Sequence, residues 1–379
     1  MDFSLSEEHE ALRRLVREFA EREIAPHAEA WDRDHHFPVD TVRAMGDLGL
    51  FGLTLPEEYG GGGSNLLALC IAIEELARVD ASMALTLEAA VGLGAGPIAR
   101  FGTDEQKQRW LPDLAAGRAL AAFGLTEADA GSDAAGLRTR GALDGDEWVI
   151  DGTKAFITNS GTELTSLIIV AARTGDDEIS TIIVPSGTPG LTVEPPYRKM
   201  GWRASDTRGL RFDGCRVPAD HLLGERGRGL RNFLEILDEG RIAIAALATG
   251  VIQGCVDEAR VHALERTAFG KPIGANQAIA FMVADMAVAV DASRLLTHRA
   301  AWLRDTVQPF RTEAAMAKLF SSEAAVTATR QATQIFGGAG FMDETPVSRF
   351  YRDAKVLEIG EGTSEVQRLV ISRALGMPV

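Results

Sequence analysis

Cysteine is scarce in this 379-residue chain: Cys70, Cys215 and Cys255 are the only three. They lie far apart, are odd in number and form no CxxC pair, which excludes a disulfide framework and suits idle thiols in a reducing compartment. Histidine is also sparse, with seven residues and no HExxH or similar spacing, so no metal site is expected. Positive charge is short, since 39 Lys and Arg against 54 Asp and Glu leave a formal net charge of -15. That balance argues against nucleic acid or an anionic membrane as the main partner. No stretch reads as an uninterrupted apolar membrane span, and Met1-Asp2-Phe3-Ser4-Leu5-Ser6-Glu7-Glu8 lacks the basic region and apolar core of a signal peptide. The expectation is a protein without stable membrane insertion, located in the cytoplasm.

What is present divides into three. Residues 1–120 read as an all-α segment: Ser4 and Glu7 stand in capping-box spacing, and Leu12, Leu15, Val16, Phe19 and Ile24 recur at helical spacing. Further helices are expected over 41–50, 66–79, 84–100 and 104–114. Gly92-x-Gly94-x-Gly96 has the wrong spacing for a dinucleotide fingerprint and no strand before it, so it reads as close helix packing. Residues 121–230 change to short β-type runs divided by Gly, Pro and Asp, with Asp144-Gly145 as a hairpin signal. With few helices between them, these runs predict a mainly antiparallel sandwich or barrel. Residues 231–379 return to long Ala-, Leu- and Val-rich helices with broad apolar faces, which predict a four-helix bundle with apolar surface left over for oligomerisation. The fold class is therefore α+β and multidomain.

Three stretches carry chemistry. The first is Gly360-Glu361-Gly362, followed by Ser364 and Gln367 in capping-box spacing and an apolar helical face. Glycine on both sides lets another molecule approach the carboxylate and its amide, and a desolvated carboxylate there would serve as a general base. Read alone, Gly-Glu-Gly before a helix is equally the composition of a solvated turn. The second is Phe123-Gly-Leu125-Thr126-Glu-Ala-Asp-Ala-Gly131-Ser132-Asp133, a strand opening into hydroxyls and free amides that suit a ring edge or a phosphate. An ordinary polar loop is the alternative. The third is Lys154-Ala-Phe156-Ile157-Thr158-Asn159, where Phe156 and Thr158 share a strand face that is either core or a wall for a flat ligand.

Together these stretches resemble the FAD-dependent acyl-CoA dehydrogenases, over essentially the whole chain. The resemblance rests on Leu125-Thr-Glu-x-x-x-Gly-Ser-Asp133, Phe156-Ile-Thr158, Glu265-Arg266-x-x-Phe-Gly270, Gln334-x-Phe-Gly-Gly338, and Arg352-Asp-Ala-Lys355 followed by Glu361-Gly-Thr-Ser-Glu365. It implies that Phe123, Leu125, Thr126, Gly131 and Ser132 line FAD, with Ser132 also reaching the acyl-CoA. Phe156, Ile157 and Thr158 would cover the isoalloxazine. Arg266, Phe269, Gln277, Gln334, Ile335, Gly337 and Gly338 would bind FAD from a neighbouring subunit, and Thr363 and Glu365 would meet it again. Asp238 and Arg241 would hold coenzyme A, with Gly360 and Gly362 beside the substrate.

By the same resemblance Glu361 takes the α-proton of the thioester while a hydride leaves the β-carbon for flavin N5, giving the trans-2-enoyl product. The thioester oxygen would be held by the Glu361 amide and an FAD hydroxyl. Some members carry the base at the position of Gly240, so glycine there assigns it to Glu361. Phe156 stands where many members have tryptophan. Gly360 stands where many have tyrosine, which suggests a branched, aromatic or otherwise bulky acyl group. The family passes electrons to an electron-transferring flavoprotein and is commonly a homotetramer, a dimer of dimers. A dehydrogenase of acyl or aminoacyl groups on a carrier protein, and a flavin-binding or assembly protein without activity, are the alternatives.

Overall fold

The computed structural model describes residues 3–379. Ser6 opens α1 (Glu7–Phe19) by accepting from the His9 amide, so the cap is Ser6 with His9 in place of the expected Ser4 with Glu7. A π-turn at Ala20–Ile24 leads to α2 (Ala28–Asp34) and α3 (Val39–Asp47). Next come α4 (Leu66–Ala77) and α5 (Ala81–Glu88), both capped on the first turn by the side chains of Asn65 and Asp80. Helix α5 runs through a π-helical stretch, Ala89–Ala95, into α6 (Gly96–Phe101), and α7 (Asp104–Ala115) ends the segment behind a Thr103–Gln106 capping box. The glycine run does pack closely, but at Gly94 against a strand and not a helix: a Cβ there would stand 2.7 Å from the carbonyl oxygen of Ala121, at the start of the central sheet.

The central strands are β1 (Leu120–Gly124), β2 (Arg140–Asp144), β3 (Glu147–Thr158), β4 (Thr165–Arg173), β5 (Ile179–Pro185), β6 (Leu191–Val193), β7 (Thr207–Pro218) and β8 (Leu222–Leu223). They join in the order β6-β7-β3-β2-β4-β5-β8, with β1 beside β4. The long ladders are antiparallel, as the turn signals suggest, whereas β1 and β4 run parallel. Strand β1 enters from the helical segment and not from a hairpin, which no local signal in the sequence could indicate. Residues 147–150 and 154–158 form one strand, bent by an irregular register near Gly152.

The near-continuous apolar run of β4 follows from two-sided burial. One face joins Ala122, Trp148, Ile150, Leu210 and Phe212 in the layer between strands. The other packs Leu167 and Ile169 against Ile98, Leu111 and Leu114 of the N-terminal helices and Phe233 of the next helix.

That helix is α8 (Gly229–Glu265), and it is followed by the short hairpin β9 (Thr267–Ala268) with β10 (Lys271–Pro272). Helices α9 (Gln277–Asp305), α10 (Arg311–Phe336), α11 (Pro346–Ala354) and α12 (Ser364–Ala374) complete the chain. The first and third segments share one core, in which Leu69, Ile73 and Leu76 of α4 meet Ile242 to Ile252 of α8. Asp305 ties them further by accepting from the Leu66 and Leu67 amides at 3.0 and 3.2 Å, a carboxylate seated on the N-terminus of α4.

One expectation needs correction. Two helices, Ala81–Phe101 and Gly229–Glu265, are long and apolar enough to cross a membrane by length and composition. Their most apolar windows are 83% and 78% buried inside the protein, so their apolarity is spent on the core.

The approach of α8 to α4 depends on Gly250, where a Cβ would stand 2.2 Å from the Glu74 carbonyl oxygen and 2.7 Å from Ala77 Cβ. Overpacking costs about 1–3 kcal/mol, more than the roughly 1 kcal/mol that alanine gains over glycine within a helix. Gly250→Ala is therefore expected to lower the urea midpoint of unfolding; a higher midpoint would show that the helices separate freely.

Candidate active site

Glu361 adopts φ 51°, a left-handed conformation that costs a non-glycine residue about 1–2 kcal/mol, so its surroundings must hold it there. Gln367, one turn into α12, donates its side-chain amide to the carbonyls of Glu361 and Gly362 at 3.3 and 2.8 Å. Lys318 of α10 donates to the same Gly362 carbonyl at 2.7 Å. The helix cap is Thr363, accepting from the Val366 amide, so the expected Ser364–Gln367 box lies one residue out of register. Gln367 reaches back all the same, to carbonyls and not to the cap amide. Gly362 at φ 90° completes the turn.

The loop aims the carboxylate at α8. A Cβ on Gly240 would stand 2.1 Å from Glu361 Oε2, so glycine at 240 makes the space that the carboxylate occupies. Oε2 is buried and accepts no hydrogen bond. Burial pushes Glu361 up to about 7, against the opposing effects of the neighbouring Glu88 carboxyl group and the positive charges of Lys318 and Arg241. Burial lowers Lys318 to about 8. Arg241 pairs with Asp238 at 2.5 Å, one helical turn away on α8, and both are largely out of solvent. That pair is engaged within the protein, not displayed on the surface.

The sheet reaches the same place. Asn159, just past β3, donates its amide to the Thr86 carbonyl at 3.2 Å, which seats the strand end on α5 two residues before Glu88. Phe156 at φ 61° is 65% exposed on a strand whose neighbours Ala155 and Ile157 are buried, and its ring lies 5.5 Å from Tyr197. A strained backbone that turns an aromatic ring outward is a feature of binding walls. Thr126 and Thr158 are half-buried, and Gly131 and Ser132 are exposed. Leu125 and Ile157 point instead into apolar layers, and Phe123 packs on Phe233 at 4.2 Å. Those three can offer a ligand only their backbone or a ring edge.

The motif before the loop is a tie. Arg352 forms a paired hydrogen bond with Asp32, and Asp353 accepts from the Trp202 amide at 2.6 Å. Burial and the nearby Asp80 push Asp353 up to about 7. The last segment is thereby fastened to both others immediately ahead of Glu361.

A second group lies far off. From Gly240 to Arg266 is about 39 Å along α8 at about 1.5 Å per residue. Arg266 and Phe269 follow the end of α8, with Phe269 fully exposed at φ 51°. His262 stacks on Phe336 at 4.1 Å, which brings Gln334, Gly337 and Gly338 to that end, and the Ile273 amide bonds the Arg266 carbonyl shortly before Gln277. Gln277 and Gln334 are exposed, while Ile335 is core. Within one chain this group and Glu361 do not meet.

Two residues at the site escaped sequence reasoning. Glu88 is the one charged residue between Asp80 and Arg100, and a lone carboxylate in an apolar helix is a usable signal. Lys318 gave none, because its role depends on a carbonyl 44 positions away.

A helical segment, a central sheet and a helical bundle around a glycine-flanked carboxylate define a known class. Descriptions of the acyl-CoA dehydrogenase N-terminal, middle and C-terminal domains match residues 6–118, 122–215 and 227–376, and the chain belongs to the acyl-CoA dehydrogenase family. It is 50% identical over 380 residues to the probable acyl-CoA dehydrogenase YngJ of Bacillus subtilis, covering 99% of this chain and 100% of that one. It is 47% identical to the mitochondrial short-chain specific acyl-CoA dehydrogenase of Bos taurus, covering 97% and 90%. Among solved structures, butyryl-CoA dehydrogenase from Megasphaera elsdenii matches with TM-score 0.96 and 39% identity, covering 99% and 100%. A chain from work on the electron transferring flavoprotein of Acidaminococcus fermentans matches with TM-score 0.97 and 42% identity, covering 99% of each. The protein is an FAD-dependent acyl-CoA dehydrogenase. An outward Phe156 ring beside the Thr158 and Thr126 hydroxyls fits a flat, partly apolar cofactor with a polar edge.

Gly240→Ala is expected to leave the fold and bound FAD intact, since Glu361 can swing away, yet to cut the rate of flavin bleaching by acyl-CoA on the order of a hundredfold, as misplaced catalytic groups do. An unaltered rate would place the working carboxylate elsewhere.

Proposed function

We propose that Glu361 is the base that removes the α-proton of the acyl-CoA thioester. The observation that carries this reading is its buried, unpartnered Oε2, held over Gly240 by a strained loop. A carboxylate taken out of water, in a site that closes on an apolar chain, is a strengthened base. Among the described residues nothing accepts from the Glu361 backbone N–H. That donor is free for the thioester carbonyl, where it offsets the charge that develops as the α-proton leaves. The α-carbon–hydrogen bond breaks, its electron pair stays on carbon to form the double bond, and the proton goes to the Glu361 carboxylate. Bound FAD supplies the two-electron acceptor for the hydrogen that leaves the β-carbon. Phe156 and Thr158 shape the wall for the flavin, and Thr126, Gly131 and Ser132 its polar edge.

Arg266, Phe269, Gln277, Gln334, Gly337 and Gly338 serve FAD in the site of another copy of the chain. Their distance along α8 from Glu361 and the full exposure of Phe269 support an assembly, taken here as a homotetramer. Electrons then leave to an electron-transferring flavoprotein. Gly360 leaves open space next to the base, because a Cβ there would meet only the Val356 carbonyl oxygen, at 3.5 Å. The acyl group therefore tolerates branching or bulk next to the thioester. The two long apolar helices are engaged in the core, and in this reading the enzyme works in the cytoplasm.

Glu361→Gln should retain FAD and lose its anaerobic reduction by butyryl-CoA, and normal bleaching would remove Glu361 from the base's role. The carboxylate form is the active one, so the apparent second-order bleaching rate of the native enzyme should fall as the pH drops through about 7. A profile that is flat down to pH near 4.5, the ordinary glutamate value, would contradict the buried-base assignment. Gly360→Tyr should slow branched or aromatic thioesters more than butyryl-CoA; equal losses would reject the reading of the pocket.

A further inference from the structure

Eight Asp and Glu residues are almost fully buried: Asp32, Glu74, Glu75, Asp80, Glu88, Glu127, Asp206 and Asp353. Seven of them accept from an N–H group, for example Glu74 from Arg294, Glu75 from Arg17 and Asp80 from the Met83 amide. Glu88 is the exception, with 0% exposure and no donor on either carboxyl oxygen among the described residues. It ends α5, and a Cβ on Gly92 of the following π-helical stretch would stand 3.4 Å from its Oε1. The group it faces, within hydrogen-bonding reach, is the carboxylate of Glu361.

Two carboxylates are both acceptors, so this contact is attractive only with one proton between them. The surroundings decide which carboxyl keeps it. Glu361 feels Lys318 from α10 and Arg241 from α8, both positive, with Asp238 already paired to Arg241. No cation from α4, α8, α10 or the strand end faces Glu88, whose one charged neighbour is Glu361.

Resting on the assignment of Glu361 as base, we propose that Glu88 is its positioning residue: a carboxylic acid, neutral at physiological pH, that donates a hydrogen bond to the Glu361 carboxylate and holds it ionised and aimed over Gly240. Burial and the Glu361 charge both raise Glu88 well above the ordinary glutamate range, in agreement with that placement. The α-proton then goes to Glu361, and the proton on Glu88 stays where it is. A pair that shares one proton also explains how an acidic group survives in a helix otherwise made of Ala, Leu, Met, Ser and Thr.

The test uses the FAD-loaded protein with Glu88→Gln, which keeps a donor but no titratable proton, and Glu88→Leu, which keeps neither. The infrared difference spectrum between native enzyme and Glu88→Gln, taken at mildly alkaline pH, should show the carbonyl stretch of a protonated carboxylic acid in the native protein alone. Loss of the donor should move the pH limb of flavin bleaching in Glu88→Leu upward by about one pH unit, roughly a tenfold loss of rate on the acid side, and Glu88→Gln should restore the limb. A native spectrum without the acid band, or a Glu88→Leu limb that stays in place, overturns the proposal. If Glu88→Leu fails to fold, the infrared band of the glutamine pair decides alone. If Glu361→Gln bleaches normally, the assignment of Glu361 as base fails, while the band still reports whether Glu88 holds the proton.

Discussion

A buried carboxylate oxygen, pressed against a position of a long helix that has no side chain, is the constraint on which the rest of this structure depends. Glu361 can lie over Gly240 only because its own backbone is left-handed and because Gln367 and Lys318 hold the carbonyls of that turn. Each of those supports is buried polar chemistry that would be costly unpaired, so the loop is held by groups that have nowhere else to bond. The neighbouring arginine and aspartate of the Arg352-Asp353 pair fasten the same segment to Asp32 and to the Trp202 amide. The base is thus fixed from both sides in the chain and from above by a helix.

Much of this could be read from the amino acids. Helical periodicity and Gly/Pro punctuation located nearly every helix, and Glu361 stood out by its two glycines. The β segment was legible as short strands, but its parallel β1–β4 pair was not, because register between a strand entering from helices and one three strands on is set by tertiary packing. The caps at both ends of the chain were misread by one or two residues, with Ser6 and Thr363 in the roles given to Ser4 and Ser364. A cap depends on where the first helical dihedral falls, and several adjacent Ser and Thr residues satisfy the same pattern. Phe156, Ile157 and Leu125 show a further limit. Alternation tells which residues share a face, yet only the fold shows that Ile157 and Leu125 are in apolar layers while Phe156 turns outward.

Glu88 and Lys318 mark what pattern reading omits. Both carry meaning through partners distant in sequence, one across α5 and the final loop, the other from α10 to the Gly362 carbonyl. Electrostatics at a buried site is a property of the assembled set, and two acids whose separate environments differ by a pair of cations acquire different protonation for that reason.

The shared core of the first and third segments has a bearing on how the chain is made. Residues 66–77 and 81–101 present apolar surface whose covering helix, 229–265, is separated from them by the whole β segment. During synthesis the N-terminal helices leave the ribosome well before that cover exists, at about 5–20 residues per second. For several seconds the nascent chain is an incomplete helical layer with a sticky face. The exposure of that face during synthesis is built into the order of its segments and persists however stable the finished enzyme is.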